Sequence, residues 1–81
     1  MGSAPDSEIL TAITAICAEL LQNDDISGKD NFFMLGGTSL NVIELADQLM
    51  EKYGLEVSLD SIFSADTLAD LATHCKPAPV A

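Results

Sequence analysis

Two hydroxyl residues, Thr38 and Ser39, follow a pair of glycines, Gly36-Gly37, and precede a strongly patterned apolar run that starts at Leu40. A hydroxyl at such a loop-to-helix junction is exposed and within reach of another enzyme's active site. The free N–H groups of a helix start lie behind it, and that setting suits a phosphate ester. It does not suit hydrolysis. A serine nucleophile needs a base and an orienting group, and His74 is the only histidine in the chain. Gly36-Gly37-Thr38-Ser39 is also not the G-x-S-x-G elbow of the hydrolases. As a plain helix cap, Ser39 or Thr38 would be unremarkable, but a cap does not explain the two glycines, which let a second chain approach closely.

Other chemistries fit less well. Asn23, Asp25 and Ser27 place oxygens at the first, third and fifth places of an EF-hand-like loop, with Gly28 at the sixth. The twelfth place is Met34, where a bidentate glutamate is required, and Gly36-Gly37 interrupt the helix that should follow. The two cysteines, Cys17 and Cys75, each fall in an apolar helical stripe and read as reduced core residues. With one histidine beside them, a zinc site is not expected.

The elements that must position Ser39 are helical. The 81 residues suffice for one small domain, and 48% of them are apolar. The mix favours Leu, Ile and Ala, without Trp. Net charge is −10, from 13 acids against Lys29, Lys52 and Lys76. That balance argues against nucleic acid and anionic membrane as partners and for basic protein surfaces. No signal peptide or membrane-length apolar run is present, so a soluble, cytoplasmic monomer is expected.

Ile9, Leu10, Ile13, Ile16, Cys17, Leu20 and Leu21 recur at helical spacing and predict a first helix. Pro5-Asp6-Ser7 should cap it, and it should end near Gln22-Asn23. A long loop from Asp24 to Gly37 follows, with Phe32 and Phe33 expected to pin it by entering the core. A second helix is predicted from Ser39 to Tyr53, with Gly54 as its C-terminal cap. Its core face holds Val42, Leu45, Ala46, Leu49 and Tyr53. Glu44, Asp47 and Glu51 gather on the other side and repel one another. Leu40 projects among them and Ile43 borders them, an apolar spot ringed by acids that suggests a docking surface. Residues 59–63 read as a short helical turn. A last helix from Thr67 to His74, capped by Ser64 or Asp66, should bury Leu68, Leu71, Ala72 and Cys75. No strand is expected, since residues 55–59 alternate only briefly and lack an evident partner. The fold class is therefore all-α, a small bundle of three main helices and one short one. Residues 1–5 read as an N-terminal tail left from cloning, 6–75 as the domain, and 76–81 as a frayed tail or linker.

The run Asp30-Asn31-Phe32-Phe33-x-Leu35-Gly36-Gly37-x-Ser39-Leu40 resembles the core motif of peptidyl carrier proteins, the thiolation domains of nonribosomal peptide synthetases. Residues 57–63 resemble that family's short third helix and residues 67–72 its last, so the likeness spans about residues 7 to 75. Met34 departs from the motif where an acid is usual, and Thr38 where histidine or aspartate is frequent. The glycine pair favours a peptidyl carrier over an acyl carrier of polyketide or fatty-acid type, which is the alternative. An acidic interaction module is the remaining one.

The resemblance implies that a phosphopantetheinyl transferase attaches 4′-phosphopantetheine to Ser39, from coenzyme A with magnesium. The arm then holds an aminoacyl or peptidyl thioester. An adenylation enzyme loads it, and condensation, tailoring or thioesterase enzymes act on it. The carrier itself catalyses nothing. Gly37, Thr38, Leu40, Ile43, Glu44 and Asp47 are the expected docking residues. A free-standing carrier and a domain cut from a synthetase both fit the sequence.

Overall fold

The computed structural model describes residues 5–78, with side-chain detail from Glu8 onward. Helix α1 (Pro5–Leu21) and helix α2 (Ser39–Tyr53) are the two long elements. They pack on each other, and the α1 stripe supplies Ile9, Ile13, Ile16 and Cys17 to the core, with Ala12 between them. Pro5 stands at the first helical position, where its missing N–H costs nothing. Asp6 and Ser7 are thus inside the helix rather than capping it, and the residue before Pro5 lies outside the described residues. At the other end Gln22 takes a left-handed φ of 53°. The Asn23 N–H then reaches back to the Ala18 carbonyl at 3.1 Å, which closes the helix where the pattern predicts.

Helix α2 buries Val42, Leu45 and Leu49 completely and ends at Gly54, whose N–H returns to Leu49 and Met50. Tyr53 does not join the core and is 47% exposed. It stands in the last turn over a shallow gap of about 60 Å³ against Ala15, Ile16 and Glu19. Its phenol keeps its contact with water there, as a half-polar ring prefers.

Two short helices complete the bundle. Helix α3 (Leu59–Ser64) is capped by Ser58 and buries Ile62. Helix α4 (Leu68–Ala72) buries Leu68, Leu71 and Ala72, with Cys75 buried just beyond it. Its cap is Thr67, not Ser64 or Asp66, and it stops at Ala72 rather than His74. Thr67 wins because its hydroxyl stands three residues before the Asp70 N–H and accepts from it at 3.0 Å.

The all-α expectation needs one addition. Strand β1 (Leu55–Glu56) pairs antiparallel with strand β2 (Lys76–Pro77), Leu55 opposite Pro77 and Glu56 opposite Lys76. The partner of the briefly alternating segment is the expected tail, which no local pattern reveals. Ala78 continues the pairing by donating to the Gly54 carbonyl at 2.8 Å. Among the described residues no helix is long and apolar enough to cross a membrane.

Candidate functional site

The loop before Ser39 is ordered by its own polar groups. Asn31 Oδ1 accepts from the N–H groups of Phe33 and Met34, and the Asn31 carbonyl accepts from Leu35. Gly36 then donates to the Phe33 carbonyl, and Gly37 to that of Phe32. Phe32 is buried. Phe33 meets it edge-on at 5.4 Å and stacks on Phe63 of α3 at 5.6 Å. The pinning role expected for the two rings is therefore present, with Phe33 half-buried rather than fully inside.

The glycine pair has two separate causes. Gly36 has a φ of 102°, a conformation that side chains rarely adopt, with open space around it. Gly37 has an ordinary φ, but a Cβ there would run into the Phe32 ring. The domain's own core thus requires a glycine at position 37, independently of any partner.

At the helix start the capping is done by Thr38. Its Oγ1 accepts from the Asn41 N–H at 3.2 Å, while Asn41 Oδ1 accepts from the Thr38 N–H and hydroxyl, both at 3.0 Å. Asn41 also donates to Glu44 Oε1 at 3.0 Å, so Glu44 is half-buried and engaged. Asn41 escapes a motif search because asparagine is a rare substitute for the Glu or Gln of a capping box. Ser39 stands one position past the cap. It is exposed, and its hydroxyl has no hydrogen-bond partner among the described residues. The N–H groups of Ser39 and Leu40 lack acceptors as well, as the first donors of a helix must unless something caps them.

His74 lines a different cleft, with Glu56, Ser58, Ser61 and Lys76. Burial pushes the Cys17 thiol up to about 12 and the Cys75 thiol to about 11, so neither is a nucleophile near neutral pH. No metal-binding cluster of His, Cys, Asp and Glu occurs among the described residues.

Large apolar side chains near Ser39 along the chain are exposed. Leu40 is 64% exposed, Ile43 54% and Met34 86%. Ile43, Asp47 and Met50 line an open groove of about 440 Å³ against Leu55, Val57 and Leu59. Met50 and Leu59 extend this face beyond the residues expected from sequence, and Phe63 is a further exposed apolar side chain on α3. Met50 stands seven residues from Ile43, two helical turns, and that spacing was the available signal.

A free hydroxyl on a helix N-terminus, with idle donors beside it, fits a phosphodiester. The family model described as a phosphopantetheine attachment site matches residues 11–75. The chain belongs to that family, and its group is 4′-phosphopantetheine, held covalently. A solved structure described as a non-ribosomal PCP domain superposes with a TM-score of 0.79 at 32% identity, covering 89% of this chain and 92% of that one. This is therefore a carrier domain of the peptidyl type. It is 41% identical over 68 residues to Malpibaldin synthetase of Mortierella alpina, across 84% of the chain and 1% of the synthetase. It is 43% identical over 77 residues to Nonribosomal peptide synthetase 6 of Aspergillus fumigatus, across 91% of the chain and 6% of that protein. The carrier domain thus spans a small fraction of the length of these curated relatives.

Proposed function

We propose that Ser39 is the residue that bears the arm, and that the domain passes peptide-building intermediates between enzymes without catalysing a step. The supporting observation is the division of labour at the start of α2. Thr38 caps the helix, so the Ser39 hydroxyl is left for chemistry. In the attachment reaction the Ser39 hydroxyl gives its proton to a base on the transferase. Its oxygen forms the new phosphoester bond as the adenosine bisphosphate of coenzyme A leaves. A phosphodiester on Ser39 would stand at the positive end of a helix, which would favour it by about 0.3–1 kcal/mol. When bound, the arm supplies a thiol that holds an aminoacyl or peptidyl group as a thioester.

Leu40, Ile43 and Asp47, with the exposed Met34 of the preceding loop, form the docking face in this reading. A modest apolar patch on an acidic domain suits partners that bind weakly and leave quickly. Those partners are a phosphopantetheinyl transferase, an adenylation enzyme, and condensation, tailoring or thioesterase enzymes. The test is intact mass before and after incubation with coenzyme A, magnesium and a broad-specificity transferase. One phosphopantetheine adduct on the wild type and none on Ser39→Ala is the expected result. An adduct that survives Ser39→Ala would move the attachment elsewhere.

A further inference from the structure

The Asn31 side chain joins the loop before Ser39 to the α3–α4 connection, beside the backbone bonds that Leu68 and Ala69 donate to Asp30 and Gly28. Asn31 uses both ends of its amide. Its Oδ1 holds the turn that leads to Ser39, through the N–H groups of Phe33 and Met34 at 2.9 and 3.0 Å. Its Nδ2 donates to the carbonyl of Asp66 at 2.8 Å and more weakly to that of Ala65 at 3.4 Å, in the connection between α3 and α4. The Phe33–Phe63 stack makes a second link between the same two regions. The exposed apolar face is divided in the same way. Leu40, Ile43 and Met50 stand on α2, rigid with Ser39, while Leu59 and Phe63 stand on α3.

We infer that Asn31 is a positioning residue for arm attachment: it fixes α3 relative to the Ser39 turn, so that an enzyme resting on both helices finds the hydroxyl in line. The inference rests on Ser39 being the attachment point. Its physical basis is geometric. A transferase that grips a face made of two elements places the reacting oxygen only as accurately as those elements are fixed to each other. A misplacement of about 1 Å can cost about a hundredfold in rate.

Asn31→Asp separates the two roles. The carboxylate still accepts from Phe33 and Met34, but it no longer donates to Asp66 and instead faces two carbonyl oxygens. The experiment measures kcat and KM for arm transfer from coenzyme A to wild type, Asn31→Asp, Phe63→Leu and Ser39→Ala, together with amide proton–nitrogen spectra of each carrier. The carrier is the substrate, so a variant that is merely less folded raises the apparent KM and leaves kcat alone. Loss of positioning lowers kcat. The expected result for Asn31→Asp is a kcat lower by about tenfold with KM changed less than about twofold. Its spectrum should show shifted amides in residues 36–40 and in α3.

An unchanged kcat with a raised KM, or unchanged values for both, would overturn the inference. If Asn31→Asp fails to fold by circular dichroism, Phe63→Leu decides through kcat, because a smaller side chain on the exposed face raises KM whereas a lost Phe33–Phe63 stack lowers kcat. An unchanged kcat in that variant also counts against the inference. An arm still accepted by Ser39→Ala removes the attachment reading, and the inference with it. Loss of the adduct in Ser39→Ala alongside a normal Asn31→Asp removes the inference alone.

Discussion

Helices α2 and α4 begin in the same way and are then treated differently. Each has a threonine cap whose hydroxyl accepts from the N–H three residues on, Thr38 from Asn41 and Thr67 from Asp70. In α4 the next two donors are engaged. Leu68 donates to the Asp30 carbonyl and Ala69 to the Gly28 carbonyl, both at 2.9 Å. In α2 the equivalent donors, on Ser39 and Leu40, have no acceptor among the described residues. The α4 start is a structural joint, with its polar groups consumed by the loop it holds down. The α2 start has the same cap and leaves its remaining groups without a partner among the described residues. Serine is not what makes the difference, since Ser58 at the start of α3 is consumed as that helix's own cap. Its position relative to the cap is.

The largest effect that separates the two starts is chemical. Ser39→Ala should abolish arm attachment while changing stability by no more than about 0.5 kcal/mol. Thr67→Ala at the other start should accept the arm as wild type does. Intact mass and thermal melts check both. A substantial fall in melting temperature for Ser39→Ala would place its hydroxyl in the structure after all.

Next comes the outward face of α2. Ile43→Asp should slow turnover with a partner enzyme and keep full helix content by circular dichroism, because the side chain is more than half exposed. Lost helix would assign Ile43 to the core. Gly37→Ala is expected to destabilise by about 1–3 kcal/mol, as its methyl group overpacks the Phe32 ring. Urea melts measure this, and a neutral result would show that the ring can move aside. Thr38→Ala and Thr67→Ala should each cost about 1 kcal/mol, the usual worth of such a cap. Equal losses would confirm that the two caps do the same work.

The smallest effect at neutral pH belongs to the thiols. Their folded values, about 12 for Cys17 and about 11 for Cys75, lie above the ordinary 9.0, so the fold favours their protonated forms. That contribution is fully present below about pH 9 and is lost as pH rises towards the folded values. Melting temperature should therefore hold between pH 6 and pH 8 and decline in strong alkali. In Cys17→Val that decline should be shallower.

Much of this was legible along the chain. The stripe of α1, the span of α2 from Ser39 to Tyr53 and the Gly54 cap follow from spacing and turn chemistry, which act over a few residues. The exposed setting of Ser39 at a helix start was legible because the glycines and the apolar pattern that make it lie in one short run. The parts that were missed depend on partners distant in sequence. Residues 55–56 are a strand only because residues 76–77 lie beside them. Thr67 was passed over for Ser64 and Asp66 because all three are good caps, and only the register of α4 on the core selects among them. Gly37 looked like room for a visitor until the Phe32 ring was seen to fill it.

By itself, then, the sequence determined a helical domain with two hydroxyl residues at one helix start, because periodicity, caps and glycines are local properties. Tertiary structure alone decided which threonine and serine groups remain free, which glycine serves the core, and that Asn31 reaches across to α3 and α4. Those outcomes depend on which donor meets which acceptor once the chain has closed on itself, and sequence separation says nothing about that meeting.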